Sequence, residues 1–437
     1  IENEILSDLF AKAQDASLSL FSKNLRQLLL ASPLKDKQIL GFDPGYKNGC
    51  KLALINKEGT VLTSSIIFPT IGKEKEAEAK LKEIYDKYGF DYIALGNGTA
   101  SRESEKFLNS FLEKNNFKNV NITIVNESGA SVYSASPIAI KEFPNMDIEE
   151  RSSVCLARRL LDPMAELVKI PPEAIGVGQY QHDLDENKLK QTLEGTTIDA
   201  VNEVGVYLNT ASASLLKYVS GLNEKIANSI VAYKEENGPF IERKDLLKVK
   251  GFGEKTFISA AGFLRINNDN PLEKTAVHPK DYKATLELLK RIGLSLKELG
   301  SEKSNSILNS NLDLEALSKE LNLGIYTLAD IIEELKKPGR DLREKIDSAI
   351  LDKKVTDIKD LRLGMELNGT IRNLSDFGAF VDIGIHQDGL LHISEISNSF
   401  VKHPSEKLYL GEIVKVKVIK IDLERKRISL SMKQVNN

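Results

Sequence analysis

Apolar positions recur at helical spacing over residues 5–30, at Leu6, Leu9, Phe10, Ala13, Leu18, Phe21, Leu25, Leu28 and Leu29. Ser32-Pro33 then ends the helix. The period changes after Lys37. Short apolar runs at 39–42, 51–55, 61–68, 92–95 and 122–125 predict strands, and 73–88 and 101–115 predict helices between them. Asn56-Lys57-Glu58-Gly59 has the turn chemistry of an antiparallel hairpin. Hairpin-linked strands followed by helix, strand, helix and strand predict an α/β domain with a mixed sheet. Residues 194–266 read as helical, as do 282–292, 312–321 and 325–335. A polar loop is expected at 300–311, and Lys336-Lys337-Pro338-Gly339-Arg340 breaks the last helix. Beyond residue 355 the pattern alternates: Val414, Val416 and Val418 interleave with Lys415, Lys417 and Lys420. The chain is therefore multidomain: α/β, then all-α, then all-β.

Composition narrows the function. A chain of 437 residues holds two to four domains at about 150 residues each. Apolar and charged fractions of 41% and 28% are those of a soluble globular protein. No apolar run approaches the ~18 residues of a membrane span, and no signal peptide is visible. A cytoplasmic protein without a membrane partner is expected. A net charge of −3 excludes whole-molecule steering towards nucleic acid, so any such binding belongs to local surfaces. Cys50 and Cys155 have no CxxC partner and no zinc spacing, which predicts free thiols in a reducing compartment. The chain opens on IENEILSDLF without a Met, which suggests a fragment that follows a missing N-terminal domain.

Three stretches carry candidate chemistry. In ILGFDPGYKNGC, an apolar run ends on Asp43 before the Pro44-Gly45 turn. An acid there is either a turn residue or a metal ligand at a strand end. Gly96-Asn97-Gly98-Thr99 lies between a strand and a helix. It reads as a tight turn with Thr99 or Ser101 as N-cap, the alternative being a phosphate cradle. Two similar units follow, LLKYVSGLNEKIANSIVAYKEENG and DLLKVKGFGEKTFISAAGFL. Each is helix, short hairpin, helix, the helix-hairpin-helix pattern repeated in tandem. Gly221, Gly251 and Gly253 permit the tight turn, and amides at the second helix can meet a phosphate. Leu222 and Phe252 are expected to pack inward, and Lys225 and Lys255 lie just into each second helix. The second hairpin is the better phosphate contact, because Asn223 replaces a Gly in the first.

GFDPGYKNGC, IALGNGTASRES, VNESGASVYSAS, RRLLDPMAELVKI and GVGQYQHDL occur in this order. They resemble the YqgF-type RNase H-like domain of the Tex family of bacterial transcription accessory proteins. The resemblance implies an RNase H-like mixed α/β fold with Asp43 as first-strand acid and Glu127 as the second. Metal-dependent cleavage would need three or four carboxylates around two Mg²⁺ ions about 3.5–4 Å apart. The last helix, expected to begin near Arg151-Ser152-Ser153, has no Asp there. Asp162 matches the family motif but comes about two turns later, roughly 11 Å along the helix. Asp43, Glu127 and Asp162 are accordingly vestigial catalytic candidates, with no cofactor expected unless cleavage persists with Mg²⁺. His182 of QYQHDL is expected to be structural.

GTIRNLSDFGAFVDIGIHQDGLLHISEIS and LGEIVKVKVIKIDLERKRISLSMK resemble the ribosomal S1 motif over its full length. That implies a five-stranded OB barrel, a fold that stacks single-strand bases on aromatic rings. The family's RNA face falls on Phe377, Phe380, His392, Asp422 and Arg427, and alternation puts one of the two Phe in the barrel core. The expected domains are a helical lead-in over 1–35, the RNase H-like domain over 36–170 and the tandem hairpins over 171–266. A helical spacer over 267–354 and the S1 barrel over 355–437 follow. The function implied is a transcription accessory factor binding RNA and single- or double-stranded DNA with little sequence specificity. The alternatives are a metal-dependent nuclease or resolvase, and a hub docking on RNA polymerase or the ribosome.

Overall fold

The computed structural model describes residues 2–69, 72–178, 181–310, 312–339, 341–345, 361–383, 385, 388–409, 412–422 and 427–435. Gln179, Tyr180, Arg340, His386, Gln387 and the first residues expected for the barrel lie outside the described residues. The chain divides into two compact units, Ile1–Thr196 with Lys345–Asn437, and Thr197–Glu344.

The first unit opens with α1 (Glu2–Leu29), whose second half buries Leu18, Phe21, Leu25 and Leu29. A sheet follows from β1 (Ile39–Asp43), β2 (Cys50–Ile55), β3 (Val61–Ile67), α2 (Glu74–Tyr88), β4 (Tyr92–Gly96), α3 (Ser101–Lys114) and β5 (Asn121–Val125). The spatial order is β3-β2-β1-β4-β5. β1 is antiparallel to β2 and parallel to β4, as hairpin and crossover connections require. Short helices α4 (Ala130–Ser134) and α5 (Pro137–Glu142) lead to α6 (Ile148–Leu161) and α7 (Pro163–Leu167).

Strand alternation decides what meets what. Leu40, Phe42, Leu52, Leu54, Ile93 and Leu95 pack together with Leu81 of α2 and Leu108 and Phe111 of α3. Ile39, Ala53, Ile55 and Ala94 point to the other face, against Val154 and Ala157 of α6. By the same parity Gly41, Asp43 and Lys51 belong to the α6 face. Gly41 is required there, because a Cβ would overlap the Ser153 carbonyl. The last helix lies against the backbone of the first strand.

The second unit contains the end of α8 (Glu186–Val204), then β6 (Val206–Tyr207), α9 (Ala213–Leu216), α10 (Glu224–Asn237), α11 (Glu254–Ala260) and β7 (Leu264–Arg265). β6 and β7 pair in parallel. Next come α12 (Tyr282–Arg291), α13 (Glu302–Leu308), α14 (Leu314–Leu321) and α15 (Ile325–Lys336), around Leu288, Leu289, Leu308, Leu328, Ile332 and Leu335. α13 corrects the expected loop at 300–311. Ser301 accepts the Ser304 amide and starts a helix that its polar sequence conceals. Arg243 ties this unit together. Its side chain is fully buried and bonds Glu273 at 3.0 Å and the carbonyls of Ala261, Leu264, Leu272 and Thr275 at 2.7 to 3.2 Å.

The C-terminal strands β8 (Glu366–Ser375), β9 (Gly378–Asp382), β10 (Gly389–His392), β11 (Ile413–Asp422) and β12 (Arg427–Ser431) form a closed barrel in the order β10-β12-β11-β8-β9. Ile371, Ala379, Val381, Leu391, Val416, Val418 and Leu430 fill it. A register shift between Val418 and Lys420 ends the strict alternation of β11, so Lys420 still points outward.

Replacing Gly41 by Ala should destabilise the first unit by about 1–3 kcal/mol through overpacking. Urea denaturation followed by a probe in the α/β domain reads this, and an unchanged midpoint would mean that α6 can retreat.

Candidate nucleic-acid interface

Asp43 ends β1 and accepts a hydrogen bond from Ser152 Oγ of α6. The same hydroxyl lies 2.7 Å from the Glu149 carbonyl, so its one proton serves one acceptor at a time. Lys51, opposite Asp43 across β1 and β2, pairs with Glu149 at 3.2 Å, and Asn48 Nδ2 donates to Glu149 Oε1 at 3.2 Å. Burial raises the Asp43 carboxyl above its ordinary range; the Ser152 bond and the Lys51 charge oppose this, and the Glu149 charge adds to it. Glu127 follows β5. Burial raises it first and the Asp43 charge second, while the Gly98 amide and Arg159 pull the other way. Arg159 itself donates to the Asn126 carbonyl at 2.6 Å.

The structure thus brings Asp43 and Glu127 into mutual influence and leaves Asp162 elsewhere. Asp162 ends α6, where its Oδ1 accepts the Ala165 amide at 3.1 Å and caps α7. Ten residues separate it from Ser152, about 15 Å of helix. α6 begins at Ile148, earlier than expected, so its first turn does hold acids, Glu149 and Glu150. Asp147, Glu149 and Glu150 in succession are the sequence signal for that start. Among the described residues, no three His, Cys, Asp or Glu side chains are grouped to hold a metal.

Two smaller expectations are corrected. Neither Thr99 nor Ser101 caps α3: Ala100 does so in the left-handed region at φ 65°, without a side-chain bond. His182 is exposed, and the structural role belongs to its buried neighbour Gln181, which donates to the Glu173 carbonyl at 2.6 Å and accepts the Val177 amide at 3.2 Å.

The hairpins of the second unit repeat each other at a thirty-residue offset. Gly221 and Gly251 turn at φ 83° and 84°, which a side chain would resist. The Leu222 amide bonds the Val219 carbonyl at 2.9 Å, and the Phe252 amide bonds that of Val249 at 3.1 Å. Leu216 and Leu246 are both buried; Lys225 and Lys255 are both exposed. Phe252 is buried, whereas Leu222 is only half so. The hairpins differ at the start of the second helix. Asn223 accepts the Ile226 amide at 3.0 Å and so occupies an N–H that a phosphate would need. Gly253 begins α11 without a side-chain cap, and space beside Gly251 and Gly253 is open.

A third turn of this kind went unread in the sequence. Asn322, left-handed at φ 52°, Leu323 and Gly324 join α14 to α15. The position equivalent to Lys225 and Lys255 is Tyr326, 85% exposed. Asn-Leu-Gly-Ile between two helical runs was the available signal.

On the barrel, β9 and β10 pair so that Phe380 faces Leu390 and Gly378 faces His392. Phe377 is 50% exposed and Phe380 half-buried, their ring centroids 6.1 Å apart and edge-on. The expectation that one Phe fills the core is corrected, since Ala379 and Val381 take the inward positions. His392 is exposed, and its Nδ1 accepts the Ser394 amide at 3.2 Å. Asp422 and Arg427 are cross-strand partners on β11 and β12, with Arg427 exposed. Leu390 faces Ser429, which puts Arg427 one pleat along and two strands across from Phe380. At ordinary strand spacings that is about 12 Å, within one groove.

Four family models match the chain: the Tex protein YqgF-like domain at residues 37–161, the helix-hairpin-helix motif at 201–265, an HHH domain at 270–343 and the S1 RNA binding domain at 360–433. The third covers most of the segment expected to be a helical spacer. The Bacillus subtilis protein YdcI is 48% identical over 99% of this chain and 60% of its own length. The Neisseria gonorrhoeae transcriptional accessory protein Tex is 45% identical over 99% of this chain and 56% of its own. The human S1 RNA-binding domain-containing protein 1 is 36% identical over 99% of this chain and 49% of its own. The chain spans roughly half to three-fifths of these relatives.

The raised Asp43 carboxyl has a stability consequence. A folded value above the unfolded one favours the native state below the ordinary carboxylate range, and this advantage is lost as pH rises through the folded value. Asp43→Asn keeps an acceptor for Ser152 and removes the charge. It should raise Tm at pH 7, with the gain shrinking as pH falls towards about 4. Thermal melts at both pH values measure it; a lower Tm at pH 7 would show that the carboxylate is net stabilising.

Proposed function

Because the chain belongs to the Tex family and spans a little over half of two relatives that carry that name, we propose that it is a nucleic-acid-binding transcription accessory factor of the cytoplasm. The tandem hairpins hold sugar-phosphate backbone, with the Gly251–Gly253 hairpin and Lys255 contributing more than the first hairpin and Lys225. The barrel stacks the bases of a single strand, RNA or DNA, on Phe377 and Phe380. His392 adds a ring or a hydrogen bond from its free edge, and Arg427, oriented by Asp422, takes phosphate.

The observation that carries this reading is the outward row of Phe377, Phe380 and His392 on a closed barrel. Exposed rings cost free energy in water and recover it on stacking, worth about 1–3 kcal/mol per base. Phosphate contacts position without specifying, so affinity should vary little with sequence. Because one chain carries both modules, binding by one raises the effective concentration seen by the other when geometry permits. Cleavage has no part in the proposal: Asp43 and Glu127 act as parts of the scaffold.

Phe377→Ala should weaken binding of a single-stranded oligonucleotide by about 1–3 kcal/mol and leave duplex binding unchanged. Fluorescence anisotropy compares the two, and an equal loss on both would refute a stacking role. Lys255→Ala should lower the slope of log K against log salt by about 1, and Lys225→Ala by less. Identical slopes in all three proteins would remove the hairpins from the phosphate-binding reading.

A further inference from the structure

After β10 the chain runs through residues 397–409 before returning to the barrel at β11. This loop is anchored rather than slack. Val401 is buried, and Leu408 belongs to the barrel core. The Ser399 amide bonds Ser397 Oγ, the Lys402 amide bonds Glu406 Oε2, and the Ser405 amide bonds His403 Nδ1, each at 3.2 Å. Next to the anchor Val401 stands Phe400, whose side chain is 92% exposed, more than any other large apolar residue among those described. Among the described residues nothing covers this aromatic ring, and its backbone is held by the bonds on either side.

Its placement points to the ligand. His403 Nε2 lies 3.4 Å from Asp376 Oδ1. Asp376 immediately precedes Phe377, the exposed ring of the barrel face. The loop that carries Phe400 therefore lies beside the turn that carries Phe377. Lys402 and Lys407 are exposed on the same loop, and the carboxylate of Glu406 is already engaged by the Lys402 amide. A ring with cations beside it, continuous with a stacking surface, matches single-stranded nucleic acid: a base lies on the ring and phosphates meet the ammonium groups.

We infer that loop 397–409 extends the single-strand path beyond the barrel strands, with Phe400 stacking a further base and Lys402 and Lys407 tracking its backbone. The inference rests on the proposed function of the barrel face. It lengthens the strand that the module holds without adding sequence readout, because every base offers a π-face.

The chain has no tryptophan, so one introduced indole reports its own surroundings. Phe400→Trp and Phe377→Trp, each in the full chain, are titrated with dodecauridylate, a length inside the site sizes of OB folds of about 4–16 nucleotides. Base stacking quenches indole emission. Quenching of both variants is expected, and Phe400→Ala should bind the dodecamer about tenfold more weakly than the parent. Quenching in Phe377→Trp with unchanged emission in Phe400→Trp at saturation would overturn the inference and leave the barrel reading intact. Silence in both would overturn the barrel reading as well. Phe400 is almost wholly exposed, so neither substitution at this position threatens folding.

Discussion

The contact on which the α/β domain depends is the one between α6 and the backbone of β1. It exists because residue 41 has no side chain. With the helix that close, Val154 and Ala157 complete the core on that face, and Ser152 comes within reach of the strand's final acid. The same approach lets Glu149 meet Lys51 on the neighbouring strand. A packing requirement thus sets the chemistry of the strand end. Asp43 is answered by a hydroxyl, and the carboxylate one turn earlier is held by a lysine and an asparagine. Asp43 nevertheless stays within the electrostatic reach of two carboxylates, since the Glu149 charge raises it and its own charge raises Glu127.

Much of this was legible in the order of residues. Short apolar runs located the five sheet strands, and Asp43 was found at the end of the first of them. The tandem hairpins were visible because glycine is the cheap solution to a left-handed turn. The misses have physical causes. Ala100 and Asn322 occupy left-handed conformations without being glycine, so neither announces its turn. The start of α6 was read too late because its first turn is acidic and polar, although such a turn suits the positive end of a helix dipole. Alternation could not tell that both Phe377 and Phe380 lie outside the barrel. Phe377 precedes β9, and Phe380 shares the outward parity of Gly378 and Asp382.

The two hairpins share one turn geometry and differ in how the second helix starts. Both turn through a left-handed glycine and close with the same backbone bond. At the start of the second helix one side chain separates them. Asn223 satisfies an amide internally, which stabilises its own helix start by roughly 1 kcal/mol and removes a donor from the surface. Gly253 leaves its donors to whatever approaches. The same N–H groups can be satisfied by a cap or left open at the surface, and the two copies differ in this.

Arg243 concentrates the cohesion of the second hairpin in one side chain. Its guanidinium joins carbonyls on both sides of β7 and the carboxylate of Glu273, all from within the core. Segments from 261 to 275 thus converge on a single cation, and none of those groups has water to turn to if it is withdrawn. The order of this region is therefore all-or-none: the turn, the short strand and the segment after it stay in place together or come apart together.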